Sequence, residues 1–464
     1  MSIDDPREGR DAVNAERPIV DENVSRTELK TAVADAPLQH NHPDSLPPAL
    51  ETTVVKSWKA PIAFGVFSII AILLFVVFGR EGTSGFRLST DSDFFQIPTI
   101  QAPTRATGIV LTVLLVALAA YSAFLVSRSR PVRLWVTVVF AVLFLVGFLT
   151  WASAGATIPV PGLLVGAVGL SVPLVFGALG GVISERVGVV NVAIEGQLLA
   201  GAFVSAIVAS VTGQPVLGLL SAMAAGVLVS FVLAAFSIKY FVDQVIVGVV
   251  LNVLVTGLTS FLYSQVLSKN TELLNNSGTI RLPRLPIPGL SEIPILGPVL
   301  FRQTIIVYIL YIAVAVVFFA LFKTRWGLRL RAVGEHPQAA DTVGINVART
   351  RFWNVSLAGA IAGLGGAYFT MGSVGSFNKE MTAGAGFIAL AAVIFGRWDP
   401  IRATLAALLF GFASNLQSVL SIIGSPVPSE FMLMLPYLVT IFAVAGVVGR
   451  VRGPAASGKP YIKS

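Results

Sequence analysis

Polar side chains that interrupt long apolar segments are the residues of this chain best placed to do chemistry. Asn191 and Glu195 occupy such positions, and Asn252, Asn415 and Gln417 follow further along the chain. A carboxylate at the centre of a membrane costs about 3 kcal/mol, so polar groups at that depth face a protein interior or a water-filled cavity. There they hydrogen-bond a polar solute or join neighbouring helices.

A pathway for a small polar solute that contains a ring also needs flat apolar faces, and Phe377 and Phe387 could supply them. The predicted substrate pathway therefore consists of Asn191, Glu195, Asn252, Phe377, Phe387, Asn415 and Gln417. Each polar member has an alternative role, as a hydrogen bond between helices. For Glu195 the two roles are direct contact with the solute and, together with Asn191, hydrogen bonds that hold an interrupted backbone.

The segment that contains Glu195 has a composition that a continuous membrane helix would not need. Its glycines surround a charged pair: Gly177, Gly180, Gly181, Gly188 and Gly196, with Glu185 and Arg186. This pattern predicts two helices that meet at a break, because irregular backbone at membrane depth survives only against protein or a water-lined cavity.

A second glycine-interrupted segment, 352–396, follows the first, 162–211, after about 190 residues. The pair predicts an internal repeat of the kind found in transporters. Small residues four apart, Gly177 with Gly181 and Gly359 with Gly363, predict seams of close helix packing rather than ligand contacts.

These residues belong to a chain that is too apolar for a soluble protein. Hydrophobic residues make up 55% of its 464 residues and charged residues 12%, against about 25% charged residues in a soluble domain. The predicted apolar segments are 60–79, 106–126, 134–151, 162–182, 190–211, 215–237, 245–266, 304–322, 352–372, 385–396, 401–424 and 430–449. Segment 385–396 is too short to cross about 30 Å of hydrocarbon and predicts a half-helix. The predicted fold class is therefore an all-α polytopic membrane protein with about 10–12 transmembrane segments, some broken or half-spanning.

Charge is unevenly distributed along the chain and predicts its topology. Residues 1–55 contain 11 acidic and 5 basic residues, and their polar composition predicts a disordered cytoplasmic tail. Residues 56–450 form the predicted transmembrane domain, and 451–464 a second cytoplasmic tail. With the N-terminus inside, 19 of the 27 basic residues in 56–464 lie in the cytoplasm, as the positive-inside rule requires. Both termini of this multi-pass protein are therefore predicted on the cytoplasmic side of the cell membrane.

Two loops are predicted to be ordered, one on each side of the membrane. The extracytoplasmic loop 267–303 contains five prolines together with apolar residues, and we expect it to lie as a cap on helix ends. In the cytoplasmic loop 323–351, Pro337 suits the first turn of a short helix and Gly344 its end. A cytoplasmic helix too short to span a membrane predicts a docking surface. The alternative, a basic loop resting on lipid headgroups, explains the arginines but not Pro337 and Gly344.

Residue content excludes or disfavours several chemistries. The chain has no cysteine, which rules out disulfides, thiolate metal sites and a cysteine nucleophile. His40 and His42 lack a third ligand nearby, so no metal site is predicted. The letters of Gly453–Lys459 fit a phosphate-binding loop, but Pro460 replaces the Ser or Thr and no strand pattern precedes it, so a disordered tail is expected. We therefore predict a transport subunit that is not an enzyme, has no ATPase motif of its own, needs no cofactor and binds no nucleic acid.

Three sets of residues, in order, resemble one group of membrane proteins. They are Ile183-Ser-Glu-Arg-Val-Gly188 with Asn191 and Ile194-Glu-Gly196, then Arg331-Ala-Val-Gly-Glu-His-Pro-Gln-Ala-Ala340 with Gly344-Ile345, then Gly386-Phe-Ile-Ala-Leu-Ala-Ala392 with Phe395-Gly-Arg-Trp398. Over residues 160–450 the chain resembles ABC importer permeases of the ribose and branched-chain amino acid permease family, in the branch for nucleosides and simple sugars. It departs from that pattern at Val187, where Ser is usual, and at His336, where Asn is usual.

The resemblance implies the permease subunit of an ABC importer that moves nucleosides or related simple sugars. Its implied partners are a second permease subunit, separate ABC ATPase subunits and an extracytoplasmic binding protein or lipoprotein. It also implies that 323–351 is the coupling loop, with the ATPase-coupling residues Arg331, Gly334, Glu335, Ala339, Ala340 and Gly344. The alternative is a secondary transporter of a small polar solute driven by an ion gradient, which the scarcity of carboxylates in apolar segments disfavours. A membrane enzyme is a third class, disfavoured because no His, Asp and Glu residues cluster near one interface.

Overall fold

Helices account for most of the chain that the structure describes. The computed structural model describes residues 57–428, 430, 431, 434 and 453–463. Its helices are α1 Lys59–Val77, α2 Thr104–Ser127, α3 Leu134–Ala152, α4 Val160–Arg186, α5 Ile194–Thr212, α6 Pro215–Lys239, α7 Gln244–Leu267, α8 Thr271–Leu274, α9 Ser277–Ile280, α10 Ile305–Lys323, α11 Arg325–Glu335, α12 Pro337–Thr342, α13 Val347–Val374, α14 Ala385–Phe395 and α15 Pro400–Ile422. Among the described residues, 10 helices are long and apolar enough to cross a membrane, namely all except α8, α9, α11, α12 and α14. The last turns of α1, α6, α7 and α13 are π-helical, and a separate π-helical turn spans Gly297–Phe301.

The predicted apolar segments correspond to these helices. Each segment from 60–79 to 401–424 lies on one helix, because a run of about 20 apolar residues matches the thickness of the hydrocarbon layer. The short segment 385–396 is confirmed as α14, which has 11 residues. At about 1.5 Å per residue it reaches only halfway across. The tail 1–55 lies outside the described residues, as does segment 430–449 except at positions 430, 431 and 434.

Close backbone contacts hold the centre of the bundle, which is formed by α4, α5 and α13. These three helices are mostly buried, whereas α1, α2, α3 and α10 expose most of their side chains. A methyl group on Gly201 of α5 would overlap the carbonyl oxygen of Gly363 in α13, and one on Gly359 would overlap that of Gly226 in α6. The predicted seam at Gly359 and Gly363 is confirmed as a packing contact, since small residues let helices approach closely.

The break predicted from the glycine-rich segment is confirmed. Helix α4 ends at Arg186, the chain turns through Gly188 with a φ of +94°, and α5 begins at Ile194. Glycine adopts this left-handed backbone at no steric cost. The Ile194 side chain packs against Gly177 and Gly181. Helix α5 therefore starts beside the second half of α4 rather than beyond its end.

Helix α14 also starts inside the bundle, but it runs in the direction opposite to α5. Gly177 of α4 faces Ala389 and Gly181 faces Val393, so α14 is parallel to α4. In α5, Ile194 reaches Gly181, and Leu198, one turn later, lies near Gly177. The contacts run in the reverse order along α4, so α5 is antiparallel to α4. The N-termini of α5 and α14 therefore meet within the bundle. This opposed pair is the arrangement expected of inverted repeats in transporters.

The two ends of the bundle differ in structure. One end, which we call the loop end, carries the strands β1 Thr83–Arg87, β2 Ile100–Pro103, β3 Thr157–Pro159, β4 Arg284–Pro286 and β5 Arg302–Thr304. Strand β1 pairs antiparallel with β2 and parallel with β3, and β4 pairs antiparallel with β5. Segment 267–303 is ordered and packed, as predicted; the Leu282 N–H donates to the Met371 carbonyl oxygen at 2.8 Å. The other end, which we call the basic end, holds the last turns of α4, α6 and α10 and the loop 323–351.

The first three helices form a cluster with an aromatic core of its own. The rings of Phe64 and Phe140 stack with centroids 4.3 Å apart, and Phe75 is 1% exposed between these helices. Leu149 of α3 packs in one cluster with Leu163 of α4 and Leu416 of α15. The cluster is thereby joined to the flank of the main bundle.

Candidate translocation and coupling sites

The carboxylate of Glu195 lies where two helices begin. Glu195 belongs to the first turn of α5 and is 8% exposed. Its oxygens accept hydrogen bonds from Thr382 Oγ1 at 2.6 Å and from the backbone N–H groups of Gly384 at 2.9 Å and Gly386 at 2.6 Å. Both glycines lie at the start of α14. A negative charge between two helix N-termini is stabilised, because each N-terminus carries a partial positive charge and unpaired N–H groups.

Amide side chains hold the backbone at the break between α4 and α5. Asn252 of α7 accepts a hydrogen bond from the Gly196 N–H at 2.8 Å and donates one to the Val192 carbonyl oxygen at 2.8 Å. The side chains of Asn191 and Gln197 exchange two hydrogen bonds, of 3.1 and 3.2 Å. Asn252 thus satisfies two backbone groups at the break, as irregular backbone inside a membrane protein requires, whereas the pair of Asn191 and Gln197 joins side chains on the two sides of the start of α5.

A cavity of about 570 Å³, which we call the central cavity, opens next to this meeting point. Its lining combines Glu195, Asn252, Thr256, Glu380 and Thr382 with the apolar side chains of Val253 and Phe387. A few polar groups set among apolar ones are typical of a site for a small organic solute. Val253 is 69% exposed and Phe387 49% exposed, so the cavity opens towards the side of the bundle.

Three of the seven predicted pathway residues come together in the central cavity: Glu195, Asn252 and Phe387. Glu195 and Asn252 also make the hydrogen bonds described at the break. The two roles considered for Glu195 therefore coincide in space, because the carboxylate that holds α14 also borders the cavity. Phe387 lies in the first turn of α14 and offers an exposed aromatic face.

The other four predicted pathway residues lie outside the central cavity. Asn191 is fully buried in its amide pair, and Phe377 is fully buried with its ring centroid 5.1 Å from that of Phe203. Asn415 donates a hydrogen bond of 2.7 Å to a carbonyl oxygen of α4. Gln417 lies on the same helix, α15, none of whose residues lines the central cavity. Their residue types suit a pathway, but the rotation and packing of their helices direct them elsewhere.

The segment between α13 and α14 contains the predicted residue Phe377, but its polar residues that line the central cavity were missed by sequence reasoning. It supplies Glu380 and Thr382 to the central cavity, and Thr382 binds the carboxylate of Glu195. Gly384 precedes α14 with a φ of +83°. A polar, glycine-containing stretch directly before an apolar half-helix was the available signal, because such stretches occur where a helix N-terminus needs hydrogen-bond partners.

A second cavity, of about 670 Å³, lies at the loop end between segment 267–303 and the helices. Its lining includes Arg281 and Arg284 from that segment, Tyr368 from α13, and Asn415 and Ser418 from α15. The predicted pathway residue Asn415 therefore faces a compartment at the loop end instead of the central cavity.

Two short helices at the basic end form the ordered part of loop 323–351. The predicted helix is confirmed: α12 begins at Pro337 and ends at Thr342, and Gly344 follows with a φ of +84°. Helix α11, which precedes it, was not predicted. Its side chains Leu330 and Val333 are fully buried, and their spacing of three residues was the signal that could have revealed it.

The predicted coupling residues divide into a packed set and an exposed set. A methyl group on Gly334 would overlap the carbonyl oxygen of Arg186 at the end of α4. Ala340 is 3% exposed, and the guanidinium of Arg331 lies 5.3 Å from the ring centroid of Phe322. The exposed set is Glu335, Ala339 and Gly344. The exposed residues and the partly exposed Arg331 are accessible from outside the chain, whereas Gly334 and Ala340 are buried beneath them.

The C-terminal residues 453–463 pack on α11 instead of forming the disordered tail that the sequence predicts. The Ala456 N–H donates to the Gly334 carbonyl oxygen at 2.9 Å, and the Ala455 N–H donates to Glu335 Oε2 at 3.2 Å. The Lys459 N–H donates to the Ala456 carbonyl oxygen at 3.3 Å. The backbone amides of this phosphate-loop-like sequence are thus engaged within the chain, whereas a phosphate loop directs them at its ligand.

Comparison with known proteins identifies the family. Residues 163–444 match the family described as the permease component of branched-chain amino acid transport systems. The chain belongs to this permease family. The match begins in α4 and includes the meeting point of α5 and α14, the central cavity and the loop 323–351. The family predicted from the three motifs is thereby confirmed, and the chain is a multi-pass membrane permease.

The chain is also similar in sequence to individual ABC transporter permeases. The chain is 45% identical over 308 residues to the guanosine ABC transporter permease protein NupQ of Bacillus subtilis, covering 63% of this chain and 93% of the relative. It is 41% identical over 303 residues to the nucleoside ABC transporter permease protein NupC of Lactococcus lactis, covering 63% and 94%. It is 38% identical over 258 residues to the putative glucose ABC transporter permease protein TsgC13 of Haloferax volcanii, covering 55% and 77%. No solved structure matches the chain.

Proposed function

We propose that this chain is the permease subunit of an ABC importer that carries nucleosides or related simple sugars across the cytoplasmic membrane. The observation that supports the proposal is the position of α12, which is exposed at the basic end. Shortly before α12, Gly334 packs against the end of α4. Helix α4 packs along α14, whose start binds Glu195 beside the central cavity. The names of the guanosine and nucleoside relatives support the substrate class.

A displacement of α12 has a defined route to the central cavity. At the basic end, Arg186 Nε donates to the carbonyl oxygen of Trp398 at 3.0 Å, and Trp398 Nε1 donates to Glu185. These contacts join α4 to the residues that follow α14, so the two helices move together. Helix α5 is tied to α7 through Asn252. A shift of α4 and α14 relative to α5 and α7 changes the contacts of Glu195 and opens or closes the cavity between the two pairs.

The central cavity suits a neutral solute with a ring and several hydroxyl groups. Its volume of about 570 Å³ falls within the usual range for small-molecule sites. Phe387 offers an aromatic face to a base or a sugar ring, and Asn252 and Thr256 offer hydrogen bonds. The exposed carboxylate of Glu380 accepts hydrogen bonds from hydroxyl groups, which nucleosides and sugars both carry.

Three surfaces of the subunit support the proposed partners: the open side of the central cavity, the basic end and the loop end. The central cavity opens at Val253 and Phe387, and a second permease subunit against this face would close it. Separate ATPase subunits bind the basic end, and its excess of Lys and Arg supports a cytoplasmic position for this end and for both termini. An extracytoplasmic binding protein or lipoprotein delivers solute at the loop end, where segment 267–303 forms an ordered surface.

Transport by the reconstituted complex tests this proposal. The tagged chain is purified with the ATPase and permease subunits that accompany it and is placed in lipid vesicles with its binding protein. Uptake of labelled guanosine should require hydrolysable ATP and should persist after ionophores dissipate all ion gradients. Uptake that needs an ion gradient and proceeds without ATP would overturn the proposal in favour of a secondary transporter. A panel of nucleosides and monosaccharides in a thermal-shift assay of the binding protein identifies the substrate.

A further inference from the structure

We call residues 453–463 the tail segment. The first residues of the tail segment contact two regions, the end of α11 and the turn between α4 and α5. The N–H of Ala455 donates to Glu335, and the N–H of Ala456 donates to the carbonyl oxygen of Gly334. Both acceptors belong to the last turn of α11. A methyl group on Gly188 would lie 3.2 Å from the Ala456 carbonyl oxygen. The tail segment therefore also covers the turn between α4 and α5.

The far end of the tail segment is tied to α12 and α13. Arg351 of α13 is only 2% exposed, and its Nη1 donates to the carbonyl oxygen of Lys459 at 2.9 Å. Lys463 Nζ lies 3.5 Å from Oδ1 of Asp341 in α12. A buried guanidinium needs hydrogen-bond acceptors, so the contact with Arg351 anchors the segment. The ion pair of Lys463 is largely exposed and contributes little.

The tail segment also shapes the surface around α12. A recess of about 510 Å³ lies between them, with His336, Pro337 and Ala339 on one side and Pro460, Tyr461 and Ile462 on the other. Ile462 is 69% exposed, and Val343, directly after α12, is 74% exposed. The recess is continuous with the exposed coupling residue Ala339, so whatever binds α12 meets the tail segment as well.

Helix α12 cannot hold its own position. It has 6 residues, too few for a helix to be stable without tertiary contacts. It is flanked by His336, which has non-helical backbone angles, and by Gly344 with its left-handed backbone. Without support, a push on α12 would bend these connections. The tail segment is hydrogen-bonded to the last turn of α11 and to Arg351 of α13, and it borders α12 across the recess, so that it supports α12 from both neighbouring helices.

We infer that the tail segment is part of the ATPase docking surface and that it transmits force from α12 to α4 and α13. This inference rests on the proposed function, since it names a further contact of the same ATPase partner. The ATPase is the occupant of the recess because the recess is continuous with the exposed coupling residues of α12. The partner binds a surface made of two chain segments that are more than a hundred residues apart in sequence, as the separation of 120 between Glu335 and Ala455 illustrates.

Truncation tests the transmission of force. A chain that ends at Arg452 lacks the tail segment, and a chain that lacks only Ser464 is the matched control. In the assembled transporter we expect the truncated chain to move about tenfold fewer nucleosides per ATP hydrolysed, a loss within the usual range of coupling free energies. Equal transport per ATP in the truncated chain and in the control would overturn the inference. Should truncation reduce the amount of assembled complex, Ala456→Pro keeps the full chain length but removes the N–H donor to Gly334 and restricts the backbone at Ala455 and position 456, and the same comparison decides.

Chemical labelling tests the docking contact directly. The chain has no native cysteine, so a single introduced thiol reports on one position. Ile462→Cys lies in the tail segment, and Leu290→Cys, at the loop end, is the control. With ATPase at ten times its dissociation constant, maleimide labelling of Ile462→Cys should slow about tenfold, as mass action requires. Labelling of Leu290→Cys should stay unchanged.

The two proposals fail in different ways. Unchanged labelling of Ile462→Cys in a complex that performs ATP-driven uptake overturns the tail inference alone. Absence of ATP-driven uptake in the full-length complex overturns the proposed function.

Discussion

The backbone N–H of Gly386 donates a hydrogen bond of 2.6 Å to the carboxylate of Glu195, across 191 residues of chain. This contact joins the start of α14 to the start of α5, the two helices that begin inside the bundle. It also borders the central cavity. Any movement that separates α14 from α5 must break it, so the contact is a natural reporter of the conformational change proposed for transport.

Glu195→Gln tests whether this carboxylate acts by holding the starts of α5 and α14 together. Gln keeps the shape but loses the charge, and its NH₂ group faces N–H donors. At least one of the three hydrogen bonds is therefore lost, at a cost of about 1–3 kcal/mol. We expect a lower midpoint of thermal unfolding together with lower uptake. Glu380→Gln, exposed in the same cavity, should leave the midpoint unchanged. If Glu195→Gln lowers uptake at an unchanged midpoint, the carboxylate acts by direct contact with the solute instead.

Gly386→Ala should keep the two helix N-termini apart. A methyl group at this position would overlap the backbone nitrogen of Glu195, and such overpacking costs about 1–3 kcal/mol. Gly257→Ala is the matched control, because its methyl group meets nothing within 4 Å and alanine stabilises a helix by about 1 kcal/mol relative to glycine. We expect the midpoint of thermal unfolding to fall in the first variant and to hold or rise in the second. Full stability and uptake in Gly386→Ala would contradict the close approach of α5 and α14.

Phe387→Ala and Phe377→Ala should separate solute binding from stability. Phe387 is half-exposed in the central cavity; loss of an aromatic face that stacks on a base costs about 1–3 kcal/mol, so we expect solute binding to weaken about tenfold. Phe377 is fully buried, and its truncation should lower the free energy of unfolding by about 3–5 kcal/mol. Calorimetric titration with nucleoside and thermal unfolding of both variants provide the comparison. The reverse pattern would place the pathway at Phe377.

Glu335→Ala and Gly334→Ala should impair different properties of the coupling helices. Glu335 is exposed, and its hydrogen bond from the Ala455 N–H is exposed as well, so its loss should lower transport-coupled ATP hydrolysis with little change in the midpoint of thermal unfolding. A methyl group on Gly334 would overlap the carbonyl oxygen of Arg186, so this variant should lower both coupling and the midpoint. The assay is solute-stimulated ATP hydrolysis in the reconstituted complex. Unchanged coupling in both variants would count against a docking role for loop 323–351.

Local sequence patterns were sufficient to predict most elements of the fold. The spanning helices and the half-helix α14 follow from the lengths of apolar runs, and the bounds of α12 follow from Pro337 and Gly344. The break before α5 follows from the glycines around Arg186. Each of these features depends on a short stretch of chain, because run length, capping and backbone freedom are properties of neighbouring residues. The same local motifs identified the permease family.

The tertiary structure alone decided which residues share a site. Asn191 and Asn252 are the same residue type in apolar segments, yet one is buried in an amide pair and the other lines the central cavity. Composition predicts disorder for the tail segment, but a backbone carbonyl oxygen, that of Gly334, helps to hold it in place. The direction of a side chain depends on helix rotation and on neighbours distant in sequence. A backbone carbonyl group is present in every residue, so the sequence does not indicate which of them accepts a tertiary hydrogen bond. For that physical reason, contacts such as that of Glu195 with Gly386 exist only once the helices have packed.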